Sequence, residues 1–183
     1  MLILDKSACI IGKRITSRKI KMKINKQVEF NQIISDILKN EEFISLRYEI
    51  HHGITRLDHS LSVAKLTFNA TKFLKLKNYE DVTRASLLHD FFRNSEVDKN
   101  SFINHPNIAL VNAKRNFSLN AMQENIIASH MFPTTKVMPK YKEAFLVSCI
   151  DKVVAVKECA QHKVPMTIGA TFLFLINFLV IQR

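Results

Sequence analysis

The stretch Ala85–Arg93, ASLLHDFFR, sets an imidazole and a carboxylate side by side in a run otherwise built largely from Leu, Phe and small residues. A carboxylate withdrawn from water has to be offset by a cation, a cluster of donors or a metal ion. On a helical period Val82, Ala85, His89 and Phe92 share a face, so a helix capped near Asn78 and running to about Phe92 turns His89 inward. The partners of His89 and Asp90 must then come from other segments of the chain.

Working outward, Phe30, Ile33, Ile34, Ile37 and Leu38 recur at helical spacing, and a helix over Leu57 to Leu76 places His59, Val63, Leu66, Ala70 and Phe73 on one stripe. Downstream, Pro106 directly behind His105 is a first-turn proline that opens a helix through about Asn116. Another helix runs from Leu119 to about His130, ended by Pro133, and a sixth covers roughly Lys140 to Glu158 with Asp151 in its most apolar part. Only four Pro and three Gly punctuate the chain, with no linker, repeat or low-complexity tract. The fold class this predicts is all-α, a helical bundle with short connections.

Taken singly, an inward histidine is more often a hydrogen-bonded core residue than a ligand. The set reads differently. Five helices each deliver an imidazole or a carboxylate from an apolar face or a terminus: His59, His89 with Asp90, His105, His130 and Asp151. Imidazole nitrogen and carboxylate oxygen are donors for Fe, Mn, Zn or Mg, and bundle interiors assemble such ligands from facing helices. A shared cation would offset the burial cost of both aspartates.

The net charge of +11 is unevenly spread. Residues 1–26 hold eight Lys and Arg against Asp5 alone, so the remaining chain carries an ordinary +4. This separates a basic extension (1–26) from a catalytic body (27–165), and no specific nucleic-acid binding is expected of the body. Recognisable amphipathic pattern begins only after Met22, so residues 1–21 read as a tail, or as sequence ahead of a later start, with an arm for anionic surfaces as the rival reading. Cys9, Cys149 and Cys159 are odd in number and lack CxxC spacing, which favours a reducing, cytoplasmic setting over disulfides or a thiolate zinc site. The segment 166–183 is almost wholly apolar, but its uncharged core is short of the ~20 residues that span a bilayer. It is expected to be a buried last helix, with membrane association through residues 166–183 as the alternative.

The order His59, His89-Asp90, Asp151, with the doublet in ASLLHD and an Arg-x-x-His in RLDHSLSVA, resembles the HD superfamily of metal-dependent phosphohydrolases, an all-helical fold. The likeness covers about Thr55 to Val156. His105 in NHPNIAL and His130 in IIASHM resemble the two extra histidines of the binuclear branch, which includes bacterial HD-type diadenosine tetraphosphate hydrolases and cyclic-dinucleotide phosphodiesterases. The resemblance implies that Asp90 bridges two divalent metals, with His59, His89 and Asp151 on one and His105 and His130 on the other. Many relatives read HDIGK or HDIAK; here HDFFR puts Arg93 in place of the lysine, and no GYP motif follows, which speaks against the cyclic di-GMP branch.

The function this implies is hydrolysis of a nucleotide-type phosphoester or phosphoanhydride, with a small-molecule phosphate substrate and a metal-activated hydroxide. Arg93 and Arg56 are candidates for stabilising the phosphoryl charge, and Lys152, beside Asp151, is either a third or a lysine that snorkels to solvent. His52 and Arg56 could orient ligands, whereas His51 and His162 read as solvated. Two rivals keep the same ligands: a di-iron oxygenase, separated by metal identity and redox behaviour, and a non-catalytic, metal-stapled nucleotide-sensing domain.

Overall fold

The computed structural model describes residues 20–51, 53–97 and 102–161. Helix α1 occupies 20–34 of these, and a 3-10 turn (Ile37–Lys39) leads into the short α2 (Glu41–Ile44). An antiparallel hairpin of two residues per strand, β1 (Ile50–His51) and β2 (Ile54–Thr55), follows. Gly53, at φ 86°, supplies the left-handed conformation its turn requires. The bundle proper is α3 (Arg56–Phe73), α4 (Tyr79–Leu88), α5 (His105–Asn116), α6 (Ala121–Ser129) and α7 (Lys142–Gln161). The all-α expectation holds.

Local chemistry sets the helix starts. The Thr55 hydroxyl accepts the Asp58 N–H at 3.1 Å and so caps α3. Asn120 and Gln123 form a reciprocal box at the start of α6, each side chain accepting the other's backbone N–H at 2.9 Å. α3 stops at Phe73, and Lys75 takes φ 54° as the chain turns towards α4.

α3 packs along both α4 and α7, while α6 lies against α4, α5 and α7. Phe30, Ile34, Phe43, Phe68, Leu88, Phe91 and Ile127 are among the fully enclosed core residues, and Val63, Ile150 and Val154 form a smaller apolar contact between α3 and α7. This arrangement puts the inner faces of α3, α4, α5, α6 and α7 around one point.

Two expectations need correction. The inner face of α3 is not the stripe through Leu66 and Phe73, which are 40% and 84% exposed; it is His59, Ser60, Val63, Ala64, Thr67, Phe68 and Thr71. Small hydroxyl residues line the seam because they let α3 approach two neighbours closely, and Thr71 returns its hydroxyl to the Thr67 carbonyl at 2.9 Å. α4 ends at Leu88 rather than Phe92, so the His-Asp doublet sits in the turn that follows. The expected boundary after residue 26 falls within α1, and the segment 166–183 lies outside the described residues, as do His52 and His162 and the side chain of His51.

Candidate metal centre

His59 comes from the first turn of α3, His89 and Asp90 from the turn after α4, His105 from the first position of α5, His130 from the residue after α6, and Asp151 from the middle of α7. All six are buried, Asp151 the least at 8% exposed. The structure gathers them into one cluster.

His59, His89 and His130 are each oriented by a bond at Nδ1. His89 donates Nδ1–H to the Ser86 carbonyl at 2.7 Å, and His130 donates Nδ1–H to the Ile127 carbonyl at 2.8 Å, each reaching three residues back into its own helix. The Nδ1 of His59 lies 2.7 Å from Glu158 Oε2. With Nδ1 engaged in this way, the other nitrogen, Nε2, is aimed into the cluster, as in imidazoles that hold metals. The fourth ring, His105, stacks on Phe92 with centroids 4.9 Å apart and brings its Nε2 to 3.0 Å from that of His130.

The carboxylates stand between these nitrogens. Asp151 Oδ1 is 3.1 Å from His59 Nε2 and 3.4 Å from His89 Nε2. Asp90 Oδ1 is 3.4 Å from Nε2 of both His105 and His130, while its Oδ2 lies 3.2 Å from Arg56 Nη1 and 3.9 Å from His89 Nε2. Two groups of ligand atoms are thereby close enough to hold an ion, His59–His89–Asp151 and His89–Asp90–His130.

The donors fit a cation. His89 Nε2 and Asp90 Oδ1 are buried and make no hydrogen bond, a costly arrangement unless something else satisfies them. Nitrogen and oxygen donors sharing one cation at roughly 2.1 Å stand about 3.0–3.4 Å apart, which is the spacing seen here.

Burial opposes ionisation of Asp90 and Asp151, but the surrounding imidazoles hold both well below the usual carboxylate range. Burial also opposes a charged His59, yet the bonds to Asp151 and Glu158 outweigh it and push this imidazole up to about 10. A raised pKa means that the contribution of His59 to stability is fully present below about 6.5 and lost as pH rises through about 10. In metal-free protein, the melting-temperature gap between wild type and Glu158→Gln is therefore expected to narrow over that window. A gap of constant size from pH 6.5 to 10 would count against the His59–Glu158 contact.

The expected charge-stabilising residues lie differently. Arg56 is only 1% exposed; its Nη1 meets Asp90, its Nη2 donates to Asn94 Oδ1 at 2.8 Å, and its guanidinium lies 3.7 Å over the Phe92 ring. It is bound to a site carboxylate, a contact that suits the ligand-orienting role also expected of it. Phe91 and Phe92 turn back on the Leu88 and Asp90 carbonyls and lie in the core, and Arg93, itself extended, sets its Nη2 3.9 Å from Glu42 on the half-exposed surface. The structure does not bring Arg93 to the cluster. Lys152 neither snorkels nor enters: its ammonium donates to the His130 carbonyl at 2.9 Å and to Ser148 Oγ at 2.8 Å, and Ser148 Oγ itself donates to the same His130 carbonyl at 2.7 Å. Lys152 and Ser148 together pin the turn that carries His130.

Glu158 is the residue that sequence reasoning missed. It lies seven residues, two helical turns, beyond Asp151 and so on the same face of α7, a relation readable from spacing once Asp151 is known. Asn94 and Ser148 carry no comparable signal.

Comparison with curated proteins and with solved structures yields no match. The HD domain family model matches residues 56–156, more than half of the chain and the span that contains all six clustered side chains. Members of this family are helical, bind divalent metals and are generally hydrolases, and the fold and the His/Asp cluster agree with that description. The chain belongs to the HD domain family.

Proposed function

We propose that the protein is a metal-dependent phosphohydrolase or phosphodiesterase that uses two divalent cations on a nucleotide-type phosphoester or phosphoanhydride. The observation that carries this reading is the orientation of the imidazoles: Nδ1 of His59, His89 and His130 is engaged by neighbouring acceptors, and the facing Nε2 atoms surround the unbonded Oδ1 of Asp90 and the Oδ1 of Asp151. A core that needed only to bury these rings would not leave His89 Nε2 and Asp90 Oδ1 without a hydrogen bond among them.

His59, His89 and Asp151 would hold one cation, and His105 with His130 the other, with Asp90 between them. Four imidazoles against two carboxylates suit iron or zinc better than magnesium, with manganese between. Bound divalent ions supply Lewis acidity, which lets water ionise near neutral pH and offsets negative charge on a phosphoryl group. The chain's own residues supply position. Arg56 holds Oδ2 of Asp90 and leaves Oδ1 to the His105–His130 side. Lys152 and Ser148 hold the His130 carbonyl, and Glu158 holds Nδ1 of His59. The nucleotide class rests on the likeness of the motif order to the binuclear hydrolases.

Protein stripped of metal and reloaded with Fe, Mn, Zn or Mg should release phosphate or a nucleoside monophosphate from a panel of nucleotides, dinucleoside polyphosphates and cyclic dinucleotides. Asp90→Ala should abolish this turnover while its circular dichroism stays helical. Equal rates for wild type and Asp90→Ala on every substrate would reject the reading.

A further inference from the structure

The loop after α6 carries a hydroxyl with nothing to bond. Thr135 is 9% exposed, and its Oγ1 is buried without a hydrogen bond. Such atoms are few in native structures and are commonly met by a water or an ion. Thr135 lines a cavity of about 490 Å³ between this loop, Ala128 of α6 and the first turn of α5, a volume in the range of small-molecule sites.

The lining has one sign of charge. Lys136 is exposed, makes no ion pair among the described residues, and no Asp or Glu lines the cavity beside it. No side chain caps α5, whose first turn lies here, and a helix N-terminus favours an anion. The larger groove between α3 and α7, by contrast, is lined by Asp58 and Glu158 as well as Lys65 and Lys157 and shows no preference of sign. The loop is also held in place. Thr135 N–H donates to the Met131 carbonyl at 3.2 Å, and Asn125 ties the far end, accepting the Lys140 N–H at 2.7 Å and donating to the Met138 carbonyl at 3.3 Å. In sequence Asn104 and Pro106 flank His105, and Ala128 is two residues before His130, so the cavity borders both segments that would hold the second cation.

We propose that this cavity binds a phosphate group, with Lys136, the Thr135 hydroxyl and the first turn of α5 as its donors. The cavity is larger than one phosphate fills, and Ile103, Pro106 and Val137 offer apolar wall to the rest of a phosphorylated molecule. Two sources share this chemistry. A phosphate of the substrate remote from the one over the cations rests on the hydrolase reading above; free phosphate does not.

Inorganic phosphate is titrated into the full-length, metal-free chain by calorimetry at fixed ionic strength. Saturable binding is expected, and Lys136→Gln and Thr135→Val should each weaken it about tenfold or more, as loss of a bond to a charged group does. Without phosphate, Thr135→Val should melt no lower than wild type, since its hydroxyl has no partner to lose. The proposal is overturned if wild type takes up no phosphate, if either variant binds as wild type does, or if Thr135→Val melts lower in the absence of phosphate. Kinetics of the metal-loaded protein separate the two sources. A KM raised by Lys136→Gln more for nucleoside di- and triphosphates than for monophosphates assigns the site to the substrate. Equal changes for all three, with phosphate still bound by the metal-free chain, assign it to free phosphate. Absence of turnover on every substrate, with that binding intact, rejects the hydrolase reading alone and likewise assigns the site to free phosphate.

Discussion

Arg56→Ala is expected to destabilise the metal-free protein by about 3–5 kcal/mol, the usual cost of removing one partner of a buried ion pair. For a chain of this size that corresponds to a melting temperature lower by about 10 °C or more. The loss is large because three contacts end in one guanidinium: the bond to Asp90, the bond to Asn94 and the stack on Phe92. Asp90 is 3% exposed, so the stranded carboxylate cannot turn to water. Arg56→Lys keeps the charge but not the planar fork that reaches two partners, and should recover only part of the stability. In a double-mutant cycle, Asp90→Ala should make the Arg56→Ala cost much smaller, since the stranded charge is then gone. If Arg56→Ala melts within a degree or two of wild type, the pair is not the structural tie described here. Divalent metal should narrow the deficit, because a cation beside Asp90 would replace part of the lost charge.

Glu158→Ala should weaken metal binding about 10- to 100-fold, the usual effect of losing the carboxylate behind a ligating histidine. Glu158 accepts from His59 Nδ1 at 2.7 Å and is 5% exposed, so its removal frees the ring to rotate and withdraws the negative charge that makes Nε2 a better donor. Glu158→Gln keeps an acceptor without the charge and should fall between wild type and Ala. Competition against a chelator of known affinity reads this directly, and atomic spectroscopy of the dialysed protein gives the number of ions retained. The tighter of two ions should survive if the two groups of ligands act separately. Unchanged affinity in Glu158→Ala would mean that His59 is not a ligand.

Much of the site could be read from the chain alone because burial of charge is rare. His59, His89, Asp90, His105, His130 and Asp151 stand out as ionisable groups on apolar faces or at helix ends, and the structure places all six in one cluster. The same logic failed along α3. Its inner face is marked by Ser60, Thr67 and Thr71, whose small size matters more at a tight seam than their polarity, so the hydrophobic stripe through Leu66 and Phe73 pointed the wrong way. Arg93 was singled out by its place in HDFFR, a motif position that carries no backbone geometry; at φ −101° and ψ 153° its extended backbone sets the side chain beside Glu42 and away from the cluster.

The residues by themselves determine the helical class and the kinds of donor available, since apolar period, scarce Gly and Pro, and inward His and Asp are all local properties. Which donor meets which is a tertiary matter. Arg56 and Asp90 are 34 positions apart, His59 and Asp151 92, and His59 and Glu158 99. Such pairings follow from how α3 lies across α4 and α7, a geometry set by the packing of whole helix faces, and no short-range period encodes it. The bundle therefore makes Arg56 the partner of a site carboxylate and an unremarked glutamate the support of His59.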